Sequence, residues 1–84
     1  MHRFRIDAMP DPQSLPRVAN FFAQRALVPA TMSMHSLPTH MQIEVIVAGL
    51  DAPHAAVIAA KLGEAVAVLR SDVAAVEPSL RLAG

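Results

Sequence analysis

Residues 2–8 alternate strictly, with Phe4, Ile6 and Ala8 on one side and Arg3, Arg5 and Asp7 on the other. A period of two with one charged side predicts a half-buried antiparallel strand. Met9-Pro10-Asp11-Pro12 ends it, because two prolines remove ladder donors and bias the residues before them away from helix. From there the spacing changes to threes and fours. Leu15, Val18, Ala19, Phe22 and Ala26 form one apolar stripe, with Phe21 at its edge, and predict a helix over residues 15–26. Asp11 and Ser14 both suit its N-cap. Ser14 is preferred because it leaves Pro16 in the first turn, where a missing N–H costs little.

Alternation returns at residues 31–36, where Met32 and Met34 oppose Thr31, Ser33 and His35. Leu37-Pro38-Thr39-His40 reads as a hairpin loop. It is followed by the strongest strand, residues 41–48, with Met41, Ile43, Val45 and Val47 inward and Gln42, Glu44 and Ile46 outward. Gly49-Leu50-Asp51 turns the chain, and Asp51 caps a second helix with Pro53 in its first turn. Ala55, Ile58, Ala59 and Leu62 form that helix's buried face, Gly63 is its expected stop, and a last strand falls within residues 66–73. The order β-α-β-β-α-β predicts an α+β plait of the ferredoxin-like kind, a four-stranded antiparallel sheet with two helices on one face. The domain is expected to span residues 1–76. Residues 77–84, interrupted by Pro78, are expected to form a flexible tail.

Composition narrows the class. Of 84 residues 54% are hydrophobic, but sixteen are alanine, so large core side chains are few. A domain this small with so light a core is expected to gain stability from a dimer or another partner. The chain has no cysteine, which removes disulfide and thiol chemistry and fits a reducing cytoplasm. Net charge is zero, and there is no Trp or Tyr for base stacking, which argues against nucleic acid. The charged start MHRFRID is no signal peptide, and no apolar run reaches the length of a membrane span.

Few residues carry chemistry. His35, His40, Met32, Met34 and Met41 would suit monovalent copper, but His35 faces the opposite side of the pleat from the methionines, which read as core. Asp7 and Glu44 lie on the open sheet face and read as surface partners of Arg5 rather than an acid–base pair. No serine sits in a strained strand-to-helix elbow. No catalytic residue, metal or cofactor is expected. Two features remain. The loop 10–14 opens a helix N-terminus, which suits a carboxylate. The second strand reads as a sheet edge carrying small residues, which invites pairing between subunits.

The run DPQSLPRVANFFAQRALVPATMSMH resembles the ACT domain, the small regulatory module of amino-acid metabolism. Leu15, Arg17-Val18, Phe22 and the strand from Thr31 match that family's frame, and the resemblance covers residues 2–73. Asp-Pro-Gln-Ser-Leu, Thr-Met-Ser-Met and Gln42-Ile43-Glu44-Val45 are most similar to the short small subunits of acetolactate synthase. The resemblance implies a non-catalytic regulatory subunit in branched-chain amino-acid biosynthesis, a homodimer, and a large thiamine-diphosphate-dependent catalytic partner. It also implies an amino-acid effector near Pro10, Asp11, Gln13, Ser14 and Val28. Thr31, Ser33, His35 and His40 form the expected subunit contact. The alternative is a stand-alone amino-acid-sensing domain using the 10–14 loop. The chain departs from the family pattern at four places: Gln13 and Ala26 replace glycines, and Pro10 and Val28 replace valine-contacting asparagines. A β-carbon at position 13 crowds the loop, which favours subunit association over effector binding.

Overall fold

The computed structural model describes residues 1–76; the expected tail at 77–84 lies outside the described residues. The elements follow the expected order: β1 (His2–Ala8), α1 (Ser14–Gln24), β2 (Thr31–Ser36), β3 (Met41–Val47), α2 (Ala52–Gly63) and β4 (Val68–Ala75). The strands form one antiparallel sheet in the order β2-β3-β1-β4. This is the ferredoxin-like plait, and it leaves β2 and β4 as the edges.

Alternation decides which side of the sheet is covered. Phe4, Ile6 and Ala8 of β1 and Met41, Ile43, Val45 and Val47 of β3 are all buried on the inner face. Val18 and Phe22 of α1 and Ala55, Ile58, Ala59 and Leu62 of α2 close over them as one core. The Phe4 and Phe22 rings meet edge to face at 5.4 Å, joining the first strand to the first helix. Asp51 caps α2 as expected, its Oδ1 accepting the His54 N–H at 2.8 Å.

Three local expectations are corrected. Ser14 is not the N-cap of α1: it is the first helical residue and is fully buried, while Gln13 holds the cap position without a side-chain bond. Second, α1 stops at Gln24, two residues early, and Ala26 is exposed rather than part of the buried stripe. The chain turns there through Ala26 at φ 58°. The Leu27 N–H donates to the Phe22 carbonyl and the Ala26 N–H to the Ala23 carbonyl, both at 3.0 Å. That is a Schellman closure with alanine where glycine is usual. Gly63 ends α2 as expected, though without a left-handed turn. Glu64 and Ala65 donate to the Lys61 and Leu62 carbonyls at 3.1 Å, a tightened last turn that satisfies carbonyls left over by the helix. Third, β4 starts at Val68, inside the expected range, but runs two residues past its expected end to Ala75. A turn places the Val68 N–H on the Ala65 carbonyl, and the Met9 N–H binds the Ala67 carbonyl at 2.9 Å, so residues 65–67 form the connection. The register slips between Asp7 and Ala8, which leaves Leu69 as an extra residue, exposed in a bulge.

The methionines of β2 are on the inner side, as expected, but they are not core. Met32 is half-buried and Met34 is 38% exposed. An edge strand lies beyond the reach of a helix centred over its neighbours, and α1 covers β2 only in part.

Candidate functional site

The loop before α1 is built from its own hydrogen bonds. The Asp11 N–H and the Ser14 hydroxyl both donate to the Met9 carbonyl, at 2.8 and 2.7 Å. Asp11 then accepts twice: Oδ1 takes the Gln13 N–H at 2.7 Å and its carbonyl takes the Ser14 N–H at 2.9 Å. Asp-Pro-X-Ser is a sequence that makes such a turn, since a short carboxylate reaches its own backbone two residues on. The consequence is chemical. The amides that would receive a ligand carboxylate at this helix start are held by Asp11, and its negative charge already occupies the positive end of the helix dipole.

Beside the loop lies a cleft of ≈190 Å³ bordered by Asp11, Gln13, Ser14, Arg17 and Val66. It adjoins a second concavity of ≈150 Å³ bordered by Arg17, Val18, Leu62 and Val68. Asp11, Gln13 and Ser14 therefore come together as expected, with Pro10 exposed beside them. Val28 does not join them within the chain. It sits 85% exposed past the far end of α1, and an 11-residue helix separates the two places by about 16 Å. Sequence reasoning missed Arg17, the one cation of this cleft among the described residues. Its signal was available: it lies one residue before the buried Val18, where a helical side chain flanks the core.

The second candidate surface is the β2 edge. Thr31, Ser33 and His35 are exposed together on the outer side of β2, opposite Ile46, Glu44 and Gln42. On the inner side, Leu15, Pro16 and Ala19 of α1 face Met32 and Met34 across an apolar groove of ≈420 Å³. Past Ala19 and Met32 the groove continues for ≈480 Å³ along Ala23, Leu27 and Val28. Leu15 and Ala19, expected in the core, border this groove and are half-buried. His40 belongs elsewhere: its Nε2 is 3.6 Å from Asp7 Oδ1 on β1, and its Nδ1 is 2.9 Å from Thr39 Oγ1.

The outer sheet face is a lattice of paired charges. Glu44 Oε2 lies 3.3 Å from the Arg5 Nη2 and 3.9 Å from the Arg3 Nε, and Arg70 Nε lies 2.9 Å from Asp72 Oδ2. Glu44 is thus an ion-pair partner of Arg5 on an open face, as its position on the strand indicated, whereas Asp7 faces His40 rather than Arg5. Such exposed pairs contribute ~0–1 kcal/mol each. Among the described residues no three His, Cys, Asp or Glu side chains gather in a way that could hold a metal ion. Nor is any described helix long and apolar enough to cross a membrane.

Shallow concavities, paired charges and an open apolar edge on a ferredoxin-like plait define a small module whose working parts are surfaces. A family model described as an ACT-like domain matches residues 1–80, and the chain belongs to that family. ACT domains are regulatory, small-molecule-binding modules rather than catalysts. The match carries the ACT resemblance and does not extend to the acetolactate synthase small subunit. Among curated proteins, none matches the chain.

Proposed function

We propose that this chain is a non-catalytic regulatory subunit, acting in the cytoplasm, that associates with a larger catalytic chain and favours its active conformation. The observation that supports this reading is the β2 edge with its apolar groove, a surface suited to protein rather than to chemistry. A partner that binds one conformation better shifts the population toward it by that differential affinity alone. The large thiamine-diphosphate-dependent subunit of acetolactate synthase is the partner of this reading, on the likeness of residues 11–15, 31–34 and 42–45 to short small subunits of that enzyme. The test is co-expression with the large subunit from the same genome. Co-elution at a fixed ratio and a rise in acetolactate formation are expected. Separate elution at low and high salt, with unchanged activity, refutes it.

A second reading, a stand-alone amino-acid sensor, is favoured by the cleft at the start of α1. Asp11 and Arg17 place opposite charges on its border, next to the apolar side chains of Val18, Leu62, Val66 and Val68. That arrangement suits an amino acid with a small branched side chain, its ammonium toward Asp11 and its carboxylate toward Arg17. Thermal unfolding with millimolar valine, leucine or isoleucine tests it. Stabilisation that is lost in Arg17→Met supports this reading, and a flat response removes it.

A further inference from the structure

One imidazole is taken into the fold without a described partner. His2 opens β1 on the inner face, in line with Phe4 and Ile6, and is only 8% exposed. Its strand neighbours are Val47 of β3 and Ala75 of β4, and neither side chain can make a hydrogen bond. The His2 Nδ1 is buried and has no hydrogen-bond partner among the described residues. Such a nitrogen loses its hydration with nothing in return, and folded chains as a rule pair groups of this kind. Asp51, which follows β3 at the same end of the sheet, is already engaged by the His54 N–H.

The register points to the segment that follows β4. Asp72 lies opposite Arg5, Ala74 opposite Arg3 and Ala75 opposite His2. The pairing continues past Ala75, because the Val76 N–H donates to the Met1 carbonyl at 2.8 Å, one step further in the same register. Glu77 comes next, and Pro78 after it.

We infer that the chain after β4 docks on this end of the core, with the Glu77 carboxylate accepting a hydrogen bond from the His2 Nδ1. Three arguments carry it. Proline disfavours helical backbone in the residue before it, so Glu77 is held extended. Extended backbone keeps the alternation, which sets Glu77 on the inner side with Val73 and Ala75, diagonal to His2. Diagonal neighbours stand ~7–8 Å apart, a gap that long side chains span. Lastly, the cations of β1 do not compete for this carboxylate. Arg3 and Arg5 project on the outer face, where Glu44 holds them. A carboxylate only accepts, so the contact fixes the His2 tautomer with its proton on Nδ1. Pro78 has no N–H and ends the ladder there. The latch joins the start of the first strand to the segment after the last. It gives residues 77–84 a fixed root in place of the free tail expected from Pro78. It sits at the opposite end of β1 from the 10–14 loop and stands apart from the regulatory reading.

The test is a double-mutant cycle in the full chain, read as the ratio of folded to unfolded protein from urea titrations at one protein concentration. Glu77→Ala is expected to lower that ratio about tenfold, the weight of one charge-assisted hydrogen bond to a buried group. His2→Phe fills a similar space without a buried nitrogen. In that background Glu77→Ala is expected to change the ratio by less than about twofold, because the partner it served is gone. An equal loss in both backgrounds, or no loss in either, overturns the latch. Glu77→Gln keeps an acceptor oxygen and should lose less than Glu77→Ala; an equal loss counts against the hydrogen bond. Nitrogen-15 spectra of the imidazole, taken where the ring is neutral, give a reading that needs no His2 variant. The proton is expected on Nδ1 in the unmodified chain, with that preference lost in Glu77→Ala. A proton on Nε2 in the unmodified chain, or the same tautomer in both, overturns the inference.

Discussion

Replacing Ala26 with glycine should stabilise this protein. Ala26 sits at φ 58° immediately after the cap of α1, in a conformation that brings its Cβ close to the backbone carbonyl. That region costs an L-residue with a side chain ~1–2 kcal/mol, and glycine is free of the penalty. Against this, glycine makes the unfolded chain more flexible by ~0.5–1 kcal/mol. The hydrogen bonds of the closure, from Leu27 to Phe22 and from Ala26 to Ala23, use backbone only and survive the change. The net gain is about 0.5–1 kcal/mol, which for a domain of this size raises Tm by about 2–8 °C. Far-UV circular dichroism melts and urea titrations at one fixed protein concentration measure it, with the urea slope unchanged. Ala23→Gly, one turn earlier within α1, is the matched control and should lose about 1 kcal/mol. Ala26→Val should also destabilise, because a β-branched residue tolerates positive φ worst. An Ala26→Gly variant that melts at or below the parent, in step with Ala23→Gly, would refute the strain.

Two serines should respond to alanine with opposite sign. Ser71 carries a buried Oγ with no hydrogen-bond partner among the described residues, so Ser71→Ala removes an uncompensated desolvation and should add up to about 1 kcal/mol. Ser14 donates its hydroxyl to the Met9 carbonyl, so Ser14→Ala should cost about 1 kcal/mol and loosen the 10–14 loop, seen as faster amide exchange at Asp11 and Gln13. Asp51→Ala should lower the urea midpoint by the equivalent of about 1 kcal/mol while Asp51→Asn largely keeps it, because the cap needs an acceptor oxygen rather than a charge. Phe22→Ala empties the contact between α1 and β1 at a cost of about 3–5 kcal/mol, enough to leave so small a domain largely unfolded by calorimetry.

Much of this molecule could be read along the chain, because the period of apolar residues reports which side of an element meets the core. The inward sets of β1 and β3, the buried face of α2 and its Asp51 cap are all local patterns, and all hold in the structure. Element ends were less legible. The halt of α1 at Gln24 turns on an alanine held in a conformation that its type does not advertise. The start of β4 at Val68 depends on Met9 binding the Ala67 carbonyl, a contact between residues far apart along the chain. The loop at the start of α1 was recognised, but not that Asp11 would take its amides or that Arg17 would stand beside it.

Alternation along residues 31–36 placed Met32 and Met34 on the apolar side of a strand, and that information is local. Whether anything covers them is not. Their exposure follows from the strand order β2-β3-β1-β4, which sets β2 at the margin, and from α1 ending its cover at Leu15, Pro16 and Ala19. The same assembly of distant elements separates Val28 from the 10–14 loop and ties His40 to Asp7 on β1. Periodicity specifies which face is apolar, since each residue's side follows from its neighbours. How much of that face stays open is settled only when the sheet and its helices meet, because burial depends on atoms far away along the chain.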